Sequence, residues 1–412
     1  MKKMMFIGVL AWLLMGAQAM AAESASQEVG DWLKKIGFSG DLRLRHDTQW
    51  RTEKDGAEEY RRNRERYRFR AGLKLQVADD LVVGTRFASG SGFQNTTNQS
   101  FDSHARGKEI FTDLVYALWK PHDNIQIVGG KFKNPLLTSQ VVWDPDVNPE
   151  GITEILTFKV TDSVKLFCVL GQWFIEELKI KDSDSDPTLF TSQLGAQIAP
   201  TKEIKVKMAG TYYNFYNLHT LSWESGVLDD TTEFLGYNNE HGQQMFFDPN
   251  GKLLNKFECF EAVIKADLKM LPVPISIFSS YIVNVASNLS YMASRAVDPG
   301  DSDPADLAVY GNDDRNQGWQ AGLSIGQKKK KKDWYLKYFY QVLEDYAFPA
   351  VFVDSDFHGG GTNNRGHYAQ GKYYVTDNVI LSATGFITER DDESKDGQKD
   401  EDRIQLDVII EF

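Results

Sequence analysis

The chain has 412 residues, with 46 Lys and Arg against 58 Asp and Glu, a formal charge of −12 at pH 7. Mean hydropathy is negative, which excludes a bundle of transmembrane helices, and the acidic balance argues against nucleic acid as a partner, because phosphate binding needs a basic footprint. Two Cys rule out a disulfide scaffold and a Cys-based zinc site. Aromatic residues are abundant, with 25 Phe, 17 Tyr and 9 Trp. High aromatic content at low hydropathy points to strands of which every second residue meets lipid.

Residues 1–22 read as a secretory signal peptide. Lys2 and Lys3 precede an apolar run, Met4 to Met15, and Ala17-Gln18-Ala19 and Ala19-Met20-Ala21 both fit a small-x-small cleavage site. The apolar run is too short for a membrane anchor. Cleavage would lower the formal charge to −14. Residues 23–37 read as a short periplasmic segment, and 38–412 as the folded body.

That body alternates with period two. Residues 66–77 set Tyr67, Phe69, Ala71, Leu73, Leu75 and Val77 against Arg66, Arg68, Arg70, Lys74 and Gln76. The same pattern recurs at 204–213, 260–269, 319–326, 334–342 and 403–412. Strict alternation means strands with one apolar and one polar face. Strands of about ten residues, with connections that alternate short and long, favour a transmembrane antiparallel β-barrel over a soluble sandwich. Sixteen strands are predicted, at 38–48, 64–77, 81–89, 108–119, 124–132, 152–160, 164–176, 189–198, 204–216, 257–269, 274–285, 317–326, 333–344, 366–375, 378–389 and 403–412. Residues 217–256 hold Asp248-Pro249-Asn250-Gly251, a hairpin signal, so eighteen strands stay open as the alternative. Trp119, Trp173, Trp319, Trp334, Tyr338 and Tyr340 are placed in interfacial girdles.

The chain's final segment sets Ile404, Leu406, Val408, Ile410 and Phe412 on one face. This resembles the C-terminal assembly signal of Gram-negative outer-membrane barrels, and implies insertion by the barrel-assembly machinery. More broadly the chain resembles the putative porin family of proteobacterial outer membranes. The stretches that carry the likeness are Gly40–Arg45, Arg61–Gly72, Gly130–Pro135 and Trp143–Gly151. The resemblance implies a water-filled channel in the outer membrane for passive diffusion of small hydrophilic solutes and ions, without cofactor or metal. It implies lipid and lipopolysaccharide as surroundings, and a homotrimer.

General porins narrow their bore with a loop folded inward after the fifth strand. Here that connection is 133–151. It carries Asp144, Asp146 and Glu150 among apolar Leu136, Leu137, Val141, Val142 and Trp143. Such a loop either folds inward onto the wall or packs outside on its neighbours. Arg43 and Arg45 on the first strand, Arg66, Arg68 and Arg70 on the second, and Arg86 on the third share the lumen face by alternation. This basic wall either faces the acidic loop as an eyelet or is paired with inward Asp41, Asp47 and Asp113.

Three other functions remain in view. Gly-Lys-Phe-Lys at 130–133 also resembles phosphate-selective porins, which makes a substrate-specific anion porin the main alternative. A structural or adhesin barrel would use the acidic loops 298–314 and 391–402, which could bind cations. An enzyme is disfavoured, because the seven His fall mostly in predicted loops and no Gly-x-Ser-x-Gly elbow occurs.

Overall fold

A computed structural model of the chain describes residues 35–53, 59–90, 95–102, 104, 106–177, 186–220, 246, 248, 252–288, 315–391 and 398–412. The expected signal peptide and nearly all of the segment after it lie outside the described residues.

Sixteen antiparallel strands close into a barrel. They are β1 (Ile36–Glu53), β2 (Glu59–Ala78), β3 (Leu81–Ser89), β4 (Ile110–His122), β5 (Ile125–Lys131), β6 (Glu150–Lys159), β7 (Val164–Phe174), β8 (Thr188–Ile198), β9 (Ile204–Tyr216), β10 (Glu258–Leu268), β11 (Ile275–Asn284), β12 (Gln317–Gly326), β13 (Trp334–Leu343), β14 (Asn364–Tyr374), β15 (Val379–Arg390) and β16 (Gln398–Glu411). Each pairs with its neighbours in sequence, and β1 pairs with β16. A two-residue piece, Gln99–Ser100, adds to the edge of β2. Every predicted strand is present. The first, second and last run longer than predicted at one end, because their charged outer halves do not alternate with apolar residues. The eighteen-strand alternative fails because β9 pairs directly with β10, from Ile204↔Leu268 to Asn214↔Glu258.

Closure follows from solvent. Lipid offers backbone groups no hydrogen-bond partner, so no sheet edge can remain open. The seam is completed at Phe412, whose N–H donates to the Gly40 carbonyl at 3.0 Å, while the Gly40 N–H donates to the Phe412 carbonyl at 2.7 Å. The Phe412 ring then stacks between Phe38 (5.8 Å) and Phe69 (6.4 Å) on the outer wall. Only glycine fits at position 40: a Cβ there would lie 2.4 Å from the Arg70 carbonyl oxygen and 2.6 Å from the Phe412 ring.

The outer wall is apolar, as alternation predicts. Leu44, Leu73, Leu166, Leu194, Ile264, Ile277, Leu323, Leu336 and Ile387 all face outward. So do Ile404, Leu406, Val408 and Ile410 of β16. Trp119, Trp319, Trp334 and Tyr338 are exposed on this wall. Trp173 is not: it is 2% exposed and turned into the lumen, against Trp143. A residue's parity within its strand decides its face, and Trp173 has the parity of buried Val169 rather than of exposed Leu170.

Replacing Gly40 with Val should weaken barrel closure. The fraction migrating as a folded, heat-modifiable band on unheated gels should fall well below that of the unaltered chain. Equal folded yield would refute the close approach at the seam.

Candidate functional site

The lumen is not an empty bore. The connection from β5 to β6 folds into it, and so does the connection from β13 to β14, residues 344–363. Both carry apolar side chains that need a dry surface, and the inner wall supplies one. Phe132, Leu136, Val141, Val142, Trp143 and Val147 of the first loop form one buried cluster with Val169, Trp173, Leu189, Tyr213, Cys259 and Ile282 of the wall. Phe348, Val351, Phe352 and Val353 of the second loop join it. Trp143 stacks on Phe352 at 5.0 Å and meets Trp173 edge-on at 5.4 Å. Gly359, Gly360 and Gly361, with φ of 71°, 98° and 86°, let the second loop turn back to the wall.

Polar latches fix the first loop. Glu261 of β10 accepts hydrogen bonds from the Thr138 hydroxyl (2.9 and 3.0 Å), the Ser139 N–H (3.2 Å) and the Tyr213 hydroxyl (2.7 Å). Gln193 of β8 accepts from the Leu137 N–H at 2.9 Å and donates to the Leu137 carbonyl at 3.0 Å. The two loops also hold each other. The Asp144 N–H donates to the Phe352 carbonyl (2.7 Å), and the Asp144 carboxylate accepts the Ser355 N–H (2.9 Å).

Against these loops stands the arginine wall. Arg43 lies directly opposite Arg68 in the ladder, and Arg45 opposite Arg66. Like charges so placed repel. Carboxylates offset that repulsion. Asp41 binds Arg68 and Arg70, both at 2.7 Å. Arg45 binds Asp407 at 2.7 Å and Asp356 of the second loop at 3.1 Å. Asp47 binds Arg64 at 2.6 Å and Arg403 at 2.8 Å. Arg86 pairs with Asp113. Arg70 also reaches Asp146 at 3.6 Å. Among the described residues, Arg43 has no carboxylate partner, and its guanidinium donates to the Asn98 side-chain oxygen at 2.5 Å. The ladder thus faces the acidic loops and is also largely paired with carboxylates.

Where the walls and loops meet, a polar cavity of about 150 Å³ remains. Arg43, Arg45 and Arg68 line one side, and Asp144, Asp146, Asp354 and Asp356 the other. Of the residues expected from sequence, Arg43, Arg45, Arg68, Asp144 and Asp146 come together here. Arg66 and Arg70 stand beside it. Glu150 does not belong: it opens β6, shares the outward face with Ile152, and pairs with Lys131. The strand begins at Glu150, so the inward loop ends two residues before the expected 151.

The second loop and its two aspartates were missed. Yet residues 346–353 are Tyr-Ala-Phe-Pro-Ala-Val-Phe-Val, followed by Asp354-Ser355-Asp356. That is the same apolar-then-acidic signal that marked the first loop.

Electrostatics differ among the loop carboxylates. Burial, with Asp354 and Asp146 close by, pushes the Asp144 carboxyl well up. Burial also raises Asp354 to about 6, with Asp356 adding to the rise and Lys337 and Arg403 opposing it. For Asp356, burial is outweighed by Arg403 and Arg45, which hold the carboxyl below the usual range.

The putative porin family matches residues 57–251 and again 236–412. The chain belongs to this family. No curated protein matches the porin. Among solved structures, Salmonella typhi OmpF in complex with daunomycin aligns at a TM-score of 0.50 and 12% identity, over 92% of this chain and 97% of that one. Pseudomonas putida OprB in a high-pH structure aligns at 0.54 and 11%, over 94% and 96%. At such identities the likeness is one of fold, and the family match points to a channel-forming barrel.

Two outcomes are expected. Glu261→Ala leaves the loop hydroxyls and the Tyr213 hydroxyl without their acceptor, a cost on the order of 3 kcal/mol. Single-channel recordings should then show excess noise and larger open currents, and an unchanged trace would refute the latch. Lowering pH from 7 to 5 protonates Asp354 through its raised value and removes negative charge from the aperture. The potassium-to-chloride permeability ratio should fall, and this fall should shrink in Asp354→Asn.

Proposed function

We propose that this porin sits in the outer membrane of a Gram-negative bacterium and passes small hydrophilic solutes and ions passively through the charged aperture. The observation that carries this reading is the aperture itself: guanidinium groups on one wall oppose carboxylates on two inward loops across a polar cavity. A transverse field of this kind orders water and disfavours apolar solutes. Passage needs no covalent step and no bound group, since the gradient supplies the driving force.

In this orientation the short turns, such as 79–80, 123–124 and 375–378, face the periplasm, and the long connections face outward. The apolar face of β16 ending at Phe412 suits recognition by barrel-assembly machinery, and the apolar outer wall suits lipid with lipopolysaccharide around the loops. One outward patch is polar: Lys131, Glu150 and Glu154 on β5 and β6, with Gln172 on β7. Charge on a lipid-facing wall is costly. The patch supports contact with other copies of the chain, in line with a homotrimer.

Planar-bilayer conductance of the purified, refolded porin tests the reading. Discrete steps in KCl are expected, in groups of three if the trimer is correct. A folded barrel that never conducts would sink the diffusion-channel reading.

A further inference from the structure

The formal charge of −12 suggests a pore that prefers cations. The location of the charges says otherwise. Segments 54–58, 178–185, 221–245, 289–314 and 392–397 together carry eighteen Asp and Glu against five Lys and Arg. These five segments lie between strands and not within them, so the acidic excess they carry does not belong to the strand residues that line the bore.

The short-turn half of the lumen is lined differently. Lys165 on β7, Lys205 and Lys207 on β9, Lys265 on β10, Lys337 on β13 and Lys372 on β14 all have lumen-facing parity. Their strand neighbours Leu166, Met208, Ile264, Leu336 and Tyr373 are exposed on the outer wall. Of these six lysines, only Lys265 has a carboxylate within ion-pair reach among the described residues, Asp267 at 3.6 Å. Asp267 also accepts the Ser276 hydroxyl at 2.5 Å. Asp407, which faces the same space, is held by Arg45. Lys337 donates to Gln140 of the first inward loop and rests over the Phe278, Phe339 and Tyr368 rings at 5.4, 5.0 and 5.3 Å. Its charge therefore stands at the inner rim of the aperture. Lys74 of β2 adds a further ammonium, in electrostatic reach of Lys133.

A second observation concerns register. Lys207 and Lys265 lie directly opposite each other on adjacent strands. Such a pair is destabilising without a counter-charge. The arginine pairs of β1 and β2 have the same arrangement, but Asp41, Asp47, Asp407 and Asp356 surround them. The six lysines have a thinner set: Asp267 lies opposite Lys205 and near Lys207 and Lys265, Asp354 near Lys337, and Asp407 and Glu411 near Lys372. Four carboxylates face six lysines, and Arg45 already holds Asp407, so mobile anions complete the balance.

We propose that the short-turn half of the lumen is an anion vestibule, which makes this acidic protein an anion-selective channel for small carboxylates and phosphates. The proposal rests on the channel reading above and adds its selectivity. Lysine ammonium groups act as hydrated point charges, which suits attraction and release rather than tight capture. Low-dielectric walls concentrate their field along the bore. The arginine wall, largely neutralised by its carboxylates, gives shape to the aperture, and Arg43 adds a positive charge there with no ion-paired carboxylate among the described residues.

The test is the reversal potential of the full-length porin in a tenfold KCl gradient, with inorganic phosphate as a second probe. Chloride preference is expected, weakening as salt rises. Lys207→Glu with Lys265→Glu and Lys372→Glu should lower the chloride-to-potassium permeability ratio by at least about twofold, since each swap reverses a charge in the focused field. The Lys→Gln triple should give a smaller shift in the same direction and guards against misfolding of the Glu triple. Phosphate added on the short-turn side should reduce chloride current in the unaltered porin and do so less in either triple. Cation preference in the unaltered porin, or a chloride preference that neither triple moves, would overturn the proposal. Absence of any conductance would instead overturn the channel reading beneath it.

Discussion

A β-sheet in lipid must close, because lipid cannot hydrogen-bond an open edge. Sixteen closed strands enclose more space than wall side chains alone can fill. Everything distinctive about this porin lies in how that space is used. One side of the inner wall is apolar, and two loops fold onto it as a soluble core would. The other side is a file of arginines. Where the loops end and the arginines begin, a narrow polar passage is left.

The two inward loops depend on each other. The first brings Trp143 and the second Phe352, and neither ring would be dry without its counterpart. Asp144 then ties one loop to the other through backbone groups of Phe352 and Ser355. Asp356 ties the second loop to Arg45 and Arg403 on the far wall. The acidic side of the passage is thus not a coating on a flexible segment. It is held from below by hydrophobic packing and from across by charge. Breaking a buried pair of this kind leaves an uncompensated ion, which costs several kcal/mol.

Much of this was legible in the sequence. Alternation located six strands, which have one lipid-facing and one lumen-facing side, and strand length with turn signals located the rest. The apolar run of the first loop marked it as needing a dry surface but left two paths open, inward onto the wall or outside on its neighbours. Three things were harder. Trp173 looks like a girdle residue by type, and only its parity shows that it faces the core. Glu150 resembles its acidic neighbours, but strand β6 has already begun there and turned it outward. The contribution of 344–363 was present as composition, yet no family likeness drew notice to it. The pairing of Arg45 with Asp407 and of Arg403 with Asp47 joins residues more than 350 positions apart, and only barrel closure brings them together.

The most direct test of this account is the single-channel conductance of a porin in which residues 346–361 are replaced by a short Gly-Ser linker. If the second loop fills the bore as described, its removal opens one side of the passage and conductance rises by about a factor of two or more, as a wider aqueous path requires. Conductance equal to that of the unaltered porin, in a variant that still folds and inserts, would contradict a lumen shaped jointly by two inward loops.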